Sequence, residues 1–310
     1  MNGNPAVTEH SVALPPMRHD AGIEKTVMGY FIMTKPAVWG SLTITAAIGY
    51  MIGSFIAYQF SIVQLFIVVA ALAAGTSGCE SLTNFIDTPV DRLMKRTAAR
   101  PLPSGEIPGE NAVVLGIVLV IAAMTLSSFL GVLFIILMGF GIFDNVIVYS
   151  FLLKRRTSQN ILWGGFSGAI PVTYGFLASA SSYILMASLL FLFVFAWTPP
   201  HIWGLSIWLK DDYRNAGIPM LPVSASKKVW GSGIALFSVF TVVITLFIAI
   251  AMGYLNVLIP LVILDAVLVY ALLKLLMKPE RYARKFFVYT NVYLFLALML
   301  FMIGAMTLNW

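Results

Sequence analysis

Nine apolar stretches, each of about 18–25 residues and so able to cross a bilayer, leave this chain little choice of architecture. They run Ala37–Tyr58, Ile62–Leu82, Ala112–Phe129, Val132–Phe151, Ile161–Ala178, Tyr183–Ile207, Val229–Met252, Leu255–Leu276 and Phe286–Leu308. Backbone inside lipid must satisfy its own polar groups, so each stretch is expected to be a helix. The cations test the count. All 19 Lys and Arg fall in five places: the N-terminal tail and the regions around the loops that follow spans two, four, six and eight. The turns after spans one, three, five and seven contain none, and neither does the C-terminal end. By the positive-inside rule the tail and the even-numbered loops are cytoplasmic and Trp310 ends outside. One helix more or fewer would scatter the cations over both faces.

The expected fold is therefore an all-α polytopic membrane protein, nine transmembrane helices around a central cavity with cytoplasmic loops as caps. Residues 26–310 are read as one domain and residues 1–25, polar and carrying Pro5, Pro15 and Pro16, as a mobile tail. That tail has no apolar signal core, and Glu9, Asp20 and Glu24 argue against a transit peptide, which makes a prokaryotic plasma (inner) membrane the simplest location. Charged residues make up only 10% of the chain, against about a quarter in a soluble domain. The net charge of +6 is thus a topology signal, not a nucleic-acid footprint. Cys79, the single cysteine, excludes an internal disulfide and is read as a small core residue.

Where span two ends, the sequence NFIDTPVD (Asn84 to Asp91) carries three hard oxygen ligands. Asn84, Asp87 and Asp91 sit at i, i+3 and i+7, within roughly 60° of one another on a helix. Carboxylates at membrane depth are costly unless they face a polar cavity or a partner, so such a cluster reads as functional. Few, hard oxygens suit Mg²⁺, with Mn²⁺ as a substitute, the shell being completed by water and substrate phosphate. Arg92, Lys95, Arg96 and Arg100 follow at once. Metal-holding acids beside phosphate-holding cations point to a diphosphate site at the membrane surface. The loop that follows, through Pro89, Pro101, Pro103 and Pro108, is expected to be irregular and lid-like. The loop after span six repeats the style, with Lys210, Asp211, Asp212, Tyr213 and Arg214 and then Pro219 and Pro222.

The NFIDTPVD stretch resembles the first aspartate-rich motif of the UbiA superfamily of intramembrane prenyltransferases. Met94–Leu102 (MKRTAARPL), Tyr149–Thr157 (YSFLLKRRT), Asn160–Pro171 (NILWGGFSGAIP), Trp197–Trp203 (WTPPHIW) and Asp212–Val223 (DYRNAGIPMLPV) narrow the resemblance to its protohaem IX farnesyltransferase (haem O synthase) branch. It covers the chain from Lys35 to the last span. Two positions depart from the family pattern. Ala37 follows Lys35-Pro36 where a basic residue is usual, and Pro89 stands between the motif aspartates, which argues against a regular helix through Asp91.

The resemblance implies farnesyl diphosphate as donor and haem B as acceptor. The product would be haem O, handed on to haem A synthase or terminal oxidase assembly. Asn84, Asp87 and Asp91 form the first metal set, and Asp211 and Asp212 a second whose spacing does not repeat the first. Lys35, Lys95, Arg96, Arg100, Lys154, Arg155 and Lys210 are candidate diphosphate contacts, with Tyr149 a donor beside them. His201, with Trp197 and Trp203, is assigned to the haem, against the plainer reading of a hydrogen-bonded structural histidine. Asp144 and Asn145 either line the cavity or pair internally, Asp265 is read as structural, and Gly164, Gly165 and Gly168 as permitting close approach. Two other functions fit parts of the pattern. A sister prenyltransferase would use the same donor half-site on a quinone precursor or lipid. A cation-coupled transporter is more distant, because the acids cluster at one face and not at the midplane.

Overall fold

The computed structural model describes residues 23–307, so most of the expected tail, and Trp310, lie outside the described residues. The chain begins with α1 (Ile23–Met33), a short helix ahead of the first span. Met33 is buried with Leu102, Ile107 and Ala112, which ties α1 to the segment that follows Asp91. Its other side exposes Val27, Met28, Phe31 and Ile32. Lys35 then turns the chain in the left-handed region, φ 53°, uncommon for a residue with a side chain. Pro36, whose fixed φ suits a first helical position, opens α2 (Pro36–Ala57).

The remaining elements are α3 (Ile62–Asp91), α4 (Gly109–Ser128), α5 (Val132–Phe143) with a π-helical continuation over Asp144–Leu153, α6 (Asn160–Ser179) and α7 (Ile184–Trp208). Two short helices, α8 (Lys210–Asn215) and α9 (Leu221–Ser224), precede α10 (Lys227–Ala251), α11 (Leu255–Met277) and α12 (Pro279–Thr307). With α5 and its continuation taken as one, nine helices among the described residues are long and apolar enough to span a membrane. The protein is a nearly all-helical, multi-pass membrane protein.

Helix α2 packs against α3, α6 and α12, while α7 packs against α6, α10 and α12, so the bundle closes on itself. The closest approach is between α2 and α6. A Cβ at Gly175 would overlap the carbonyl of Ala46, and one at Gly49 the carbonyl of Val172. Membrane helices pack by such backbone contact because lipid supplies no hydrophobic drive between them. Further out, Tyr293 donates to Asp265 Oδ1 at 2.6 Å, pinning α12 to α11.

Two boundaries differ from the sequence reading. Helix α12 starts at Pro279, seven residues before the expected Phe286. More important, α3 runs through Pro89 to Asp91 instead of ending near Leu82. Proline at that position removes only the bond to the carbonyl of Phe85. Beside the gap, Thr88 Oγ1 bonds the carbonyl of Asn84 at 2.8 Å and Arg155 bonds that of Ile86. The acidic motif is therefore carried on a helix of 30 residues, not on a loop.

Candidate active site

Where α2, α3, the π segment and the loops after α3 and α7 meet, a polar cavity of about 220 Å³ is lined by Lys35, Glu80, Thr83, Asp87, Asp91, Arg96, Arg100, Asn145, Tyr149, Ser150, Lys154 and Tyr213, among others. A second, largely apolar cavity of about 110 Å³ lies deeper among α2, α3, α5 and α6, between Leu42, Leu72, Gly75, Met138, Gly141, Ile170 and Pro171. Val38, Glu80 and Asn145 line both. The polar and apolar spaces therefore meet at a shared wall.

The α3 side of the pocket follows helical spacing. Residues 80, 83, 87 and 91 repeat at three and four and so form one stripe. Asp87 is 2% and Asp91 6% exposed, and Glu80 is nearly as enclosed. Each acid has a cation. Lys154 donates to Asp87 Oδ2, Arg100 lies 3.5 Å from Asp91 Oδ2, and Lys35 lies 2.6 Å from Glu80 Oε2. Arg155 reaches in from the rim, 3.8 Å from Asp87 Oδ1. Burial pulls the Lys154 ammonium down, but Asp87, Tyr149 and the hydrogen bond together outweigh it and hold the group above its ordinary value. Burial pulls Arg100 below its ordinary value against the attraction of Asp91.

The opposite side depends on the π-helical turn. In an α-helix Asn145 and Lys154, nine residues apart, would point about 180° away from each other. The wider π repeat, seen in the bond from Lys154 N to Tyr149 O at 2.8 Å, brings Asn145, Tyr149, Ser150 and Lys154 onto one line. Asp144 anchors the segment by accepting from the backbone N–H of Ser167 at 2.8 Å. That internal pairing is the alternative the sequence left open. Gly164 lies under the Tyr149 ring, where a Cβ would come within 2.5 Å of a ring carbon.

Of the expected residues, Asp87, Asp91, Lys35, Arg96, Arg100, Lys154 and Tyr149 gather in the pocket. Asn84 does not. Its side-chain amide donates to the carbonyl of Met33 in α1, and Thr83 takes the place beside Asp87. Lys95 is exposed, and neither it nor Lys210 lines the cavity. The second acidic set is also not brought in. Asp211 is exposed and paired with Arg214 at 3.3 Å, Asp212 is half-buried outside the cavity, and Tyr213 supplies the pocket wall instead. Burial raises the Tyr213 hydroxyl above its ordinary value, so it stays a donor.

His201, Trp197 and Trp203 lie apart from both cavities. The His201 ring is stacked between Trp197, at 4.3 Å, and Phe287, at 4.6 Å. Its Nδ1 is 2.8 Å from Thr290 Oγ1, and that hydroxyl already donates to the carbonyl of Phe287. A hydroxyl so engaged favours the tautomer with the proton on Nδ1, which leaves Nε2 as an open lone pair. Trp197 donates to the carbonyl of Thr290 at 2.7 Å, and Trp203 is a core residue, 1% exposed.

Glu80, Thr83, Ser150 and Tyr213 were not anticipated. Glu80 had a signal, since an acid inside an apolar span one turn before a functional stripe belongs to that stripe. Asn145 lines the cavity, one of the two placements the sequence left open for it, and the π turn decides which.

The Asp87 carboxylate tests whether a divalent ion fits. Its Oδ1 is buried without a hydrogen bond, and Asp91 lies one turn on in the same pocket. Two carboxylates with phosphate and water to complete the shell suit Mg²⁺.

A helical membrane bundle with an acid-and-cation pocket beside a largely apolar cavity defines an intramembrane transferase of diphosphate-activated lipids. Residues 42–299 match the UbiA prenyltransferase family, and the chain belongs to it. It is 37% identical over 273 residues to a protein named protoheme IX farnesyltransferase 1 from Picrophilus torridus, covering 86% of this chain and 90% of that one. It is 34% identical over 284 residues to the protoheme IX farnesyltransferase of Thermoplasma volcanium, covering 88% and 96%. Among solved structures, a digeranylgeranylglyceryl phosphate synthase superposes with a TM-score of 0.75 at 20% identity, over 91% of this chain and 99% of the other. A UbiA homologue from Archaeoglobus fulgidus, bound to GPP and Mg²⁺, superposes with a TM-score of 0.59 at 15% identity, over 88% and 99%.

Proposed function

We propose that the protein transfers the farnesyl group of farnesyl diphosphate to a vinyl group of haem B, with addition of water, giving haem O and diphosphate. The carrying observation is the shared wall of the two cavities. A diphosphate seated among the cations of the polar pocket has its hydrocarbon chain directed into the apolar one, and the bond to be broken lies between. The acceptor is inferred from the relatives named protoheme IX farnesyltransferase.

Breaking the allylic carbon–oxygen bond places negative charge on the leaving diphosphate. Lys35, Arg100 and Lys154 are held around that charge before it develops, with Arg96 on the exposed side of the pocket, which lowers the barrier with little reorganisation. Tyr149 and Tyr213 line the same pocket as neutral donors. The apolar walls keep bulk water from the developing allylic cation. Asp87 and Asp91 would hold Mg²⁺, which supplies further charge stabilisation at the leaving group. His201, with its bare Nε2, is the proposed axial ligand of the haem iron. The site is assigned to the cytoplasmic face of a prokaryotic plasma membrane, so a cysteine label near Ser104 or Lys228 should react only from that side.

Purified protein given farnesyl diphosphate, haem B and Mg²⁺ is expected to release diphosphate and form haem O. Asp87→Asn should lower that rate by about a hundredfold or more, the usual loss when a preorganised charge is removed. Farnesylation of a quinone precursor or lipid headgroup, with haem untouched, would replace the acceptor. Wild-type turnover in Asp87→Asn would move the donor site elsewhere.

A further inference from the structure

Building on that function, the reaction needs one water in a site made to exclude water. The electron pair of the donor's C1–oxygen bond leaves with diphosphate. The vinyl π pair then forms the new carbon–carbon bond to C1 and leaves a cation on the vinyl carbon next to the porphyrin ring. That cation lies two bonds from C1, and therefore also at the junction of the two cavities. It can be closed by water, giving the hydroxyl, or lose a proton, giving an alkene lighter by one water.

Two groups at the junction are acceptors with capacity to spare. Asn145 lines both cavities, and its Oδ1 is buried with no hydrogen-bond partner. A buried acceptor without a protein partner is rare and marks a place for water or ligand. Glu80 lines both cavities too, and its Oε2 is engaged by Lys35 at 2.6 Å. Among the described residues no hydrogen bond engages its Oε1. The nearby hydroxyls differ. Thr76 donates to the carbonyl of Leu72 at 2.5 Å and Ser167 to that of Gly164 at 2.9 Å, so both are turned back onto their own helices.

We propose that Asn145 and Glu80 hold, at the junction of the polar and apolar cavities, the water whose oxygen becomes the hydroxyl of the product. A water that donates both hydrogens to these two acceptors presents its lone pairs to the remaining space, where the cation forms. As the carbon–oxygen bond forms, the proton displaced from the water passes to the Glu80 carboxylate. Diphosphate recruits Lys35 into its own coordination, which leaves Glu80 free to act as base when substrate is bound. Asn145 and Glu80 thus decide the product, not only the rate.

The test reads the ratio of alkene to hydroxylated haem product by mass spectrometry, in reactions run with heavy-oxygen water. The wild type should give mainly the hydroxylated product carrying the heavy oxygen. Asn145→Leu, which keeps the size but removes the acceptor, should raise the alkene ratio by about tenfold, the upper worth of one hydrogen bond to the water. Asn145→Asp, which keeps an acceptor there, should restore the hydroxylated product. Should Asn145→Leu fail to fold, Glu80→Gln, nearly isosteric, must show the same shift. An unchanged ratio in folded Asn145→Leu and Glu80→Gln, with hydroxylated product from the wild type, overturns the water site and leaves the farnesyl transfer standing. Absence of any farnesylated haem from the wild type overturns the function itself, and the water site with it.

Discussion

Lys154 on the π-helical segment donates a hydrogen bond to Oδ2 of Asp87 on α3, across the width of the polar pocket. The group expected to hold diphosphate and the group expected to hold metal thus neutralise each other. Arg100 with Asp91 and Lys35 with Glu80 repeat the arrangement. Loading the site means exchanging partners, the acids passing to the divalent ion and the cations to the diphosphate. Either ligand alone would break ion pairs and leave one half uncompensated, which is costly for enclosed charges.

The first prediction is therefore reciprocal coupling. Farnesyl diphosphate should bind at least about tenfold more tightly with saturating Mg²⁺ than without, and Mg²⁺ should gain by the same factor from the diphosphate. Calorimetric titrations in both orders measure the two factors. Independent binding would show that these ion pairs survive in the loaded site.

The same ion pair sets an alkaline limit to stability. Lys154 has a raised value in the folded protein, so it binds its proton more tightly folded than unfolded. Its contribution is fully present below the ordinary lysine value of 10.5 and is lost as pH climbs from there through the raised folded value. Wild-type thermal stability should show no loss from this pair through neutral and mildly alkaline pH. Lys154→Met should lack the Lys154 part of the strongly alkaline decline and be less stable at neutral pH, where Asp87 is left unpaired. Parallel melting curves for the two proteins across the alkaline range decide it.

Thr83 and Asn84 show what sequence could and could not resolve. At 100° per residue they fall on either side of Asp87, about 40° and 60° away, and asparagine is the better oxygen ligand by residue type. The choice is made by α1, whose Met33 carbonyl takes the Asn84 amide, and no pattern in the chain announced that contact. Asn84→Leu should lower the melting temperature by loosening α1, with farnesyl diphosphate affinity within about threefold of wild type. Thr83→Val should do the reverse, weakening Mg²⁺-dependent binding of the diphosphate with little change in melting. The nine spans and the Asp87–Asp91 stripe were legible because hydropathy, cation sidedness and helical period act locally. The opposite wall was legible only in part: Tyr149 and Lys154 came from the family resemblance, but that Asn145 and Lys154 share one line depends on a π turn that no local pattern shows.

In the loop after span six, composition and placement diverge. Asp211 and Asp212 carry the charge, yet Tyr213 reaches the pocket, while Arg214 holds Asp211 outside it. Asp211→Asn should leave farnesyl diphosphate affinity and turnover within about threefold of wild type, as an exposed ion pair contributes little. Tyr213→Phe should weaken diphosphate binding about tenfold or more, the worth of one hydrogen bond to a charged group. A large loss in Asp211→Asn would mean that the loop rearranges to bring this acid in when substrate binds.

His201 separates haem from other acceptors. With Nδ1 bound to Thr290 and both ring faces covered by Trp197 and Phe287, only Nε2 is left to meet a ligand, and a neutral imidazole in that tautomer is a good donor to iron. Titrating haem into the wild type should shift its main absorbance band, and His201→Ala should abolish the shift and raise the haem requirement by about tenfold or more, the scale of one lost metal–ligand contact. Farnesyl diphosphate affinity should stay within about twofold, because the donor pocket shares no residue with the aromatic stack. Thr290→Val removes the acceptor of the Nδ1 proton without touching Nε2. It should weaken haem binding less than His201→Ala and should keep a displaced absorbance band. If His201→Ala binds haem with an unaltered spectrum but melts at a lower temperature, the histidine only cements α7 to α12, and the iron takes its ligand elsewhere.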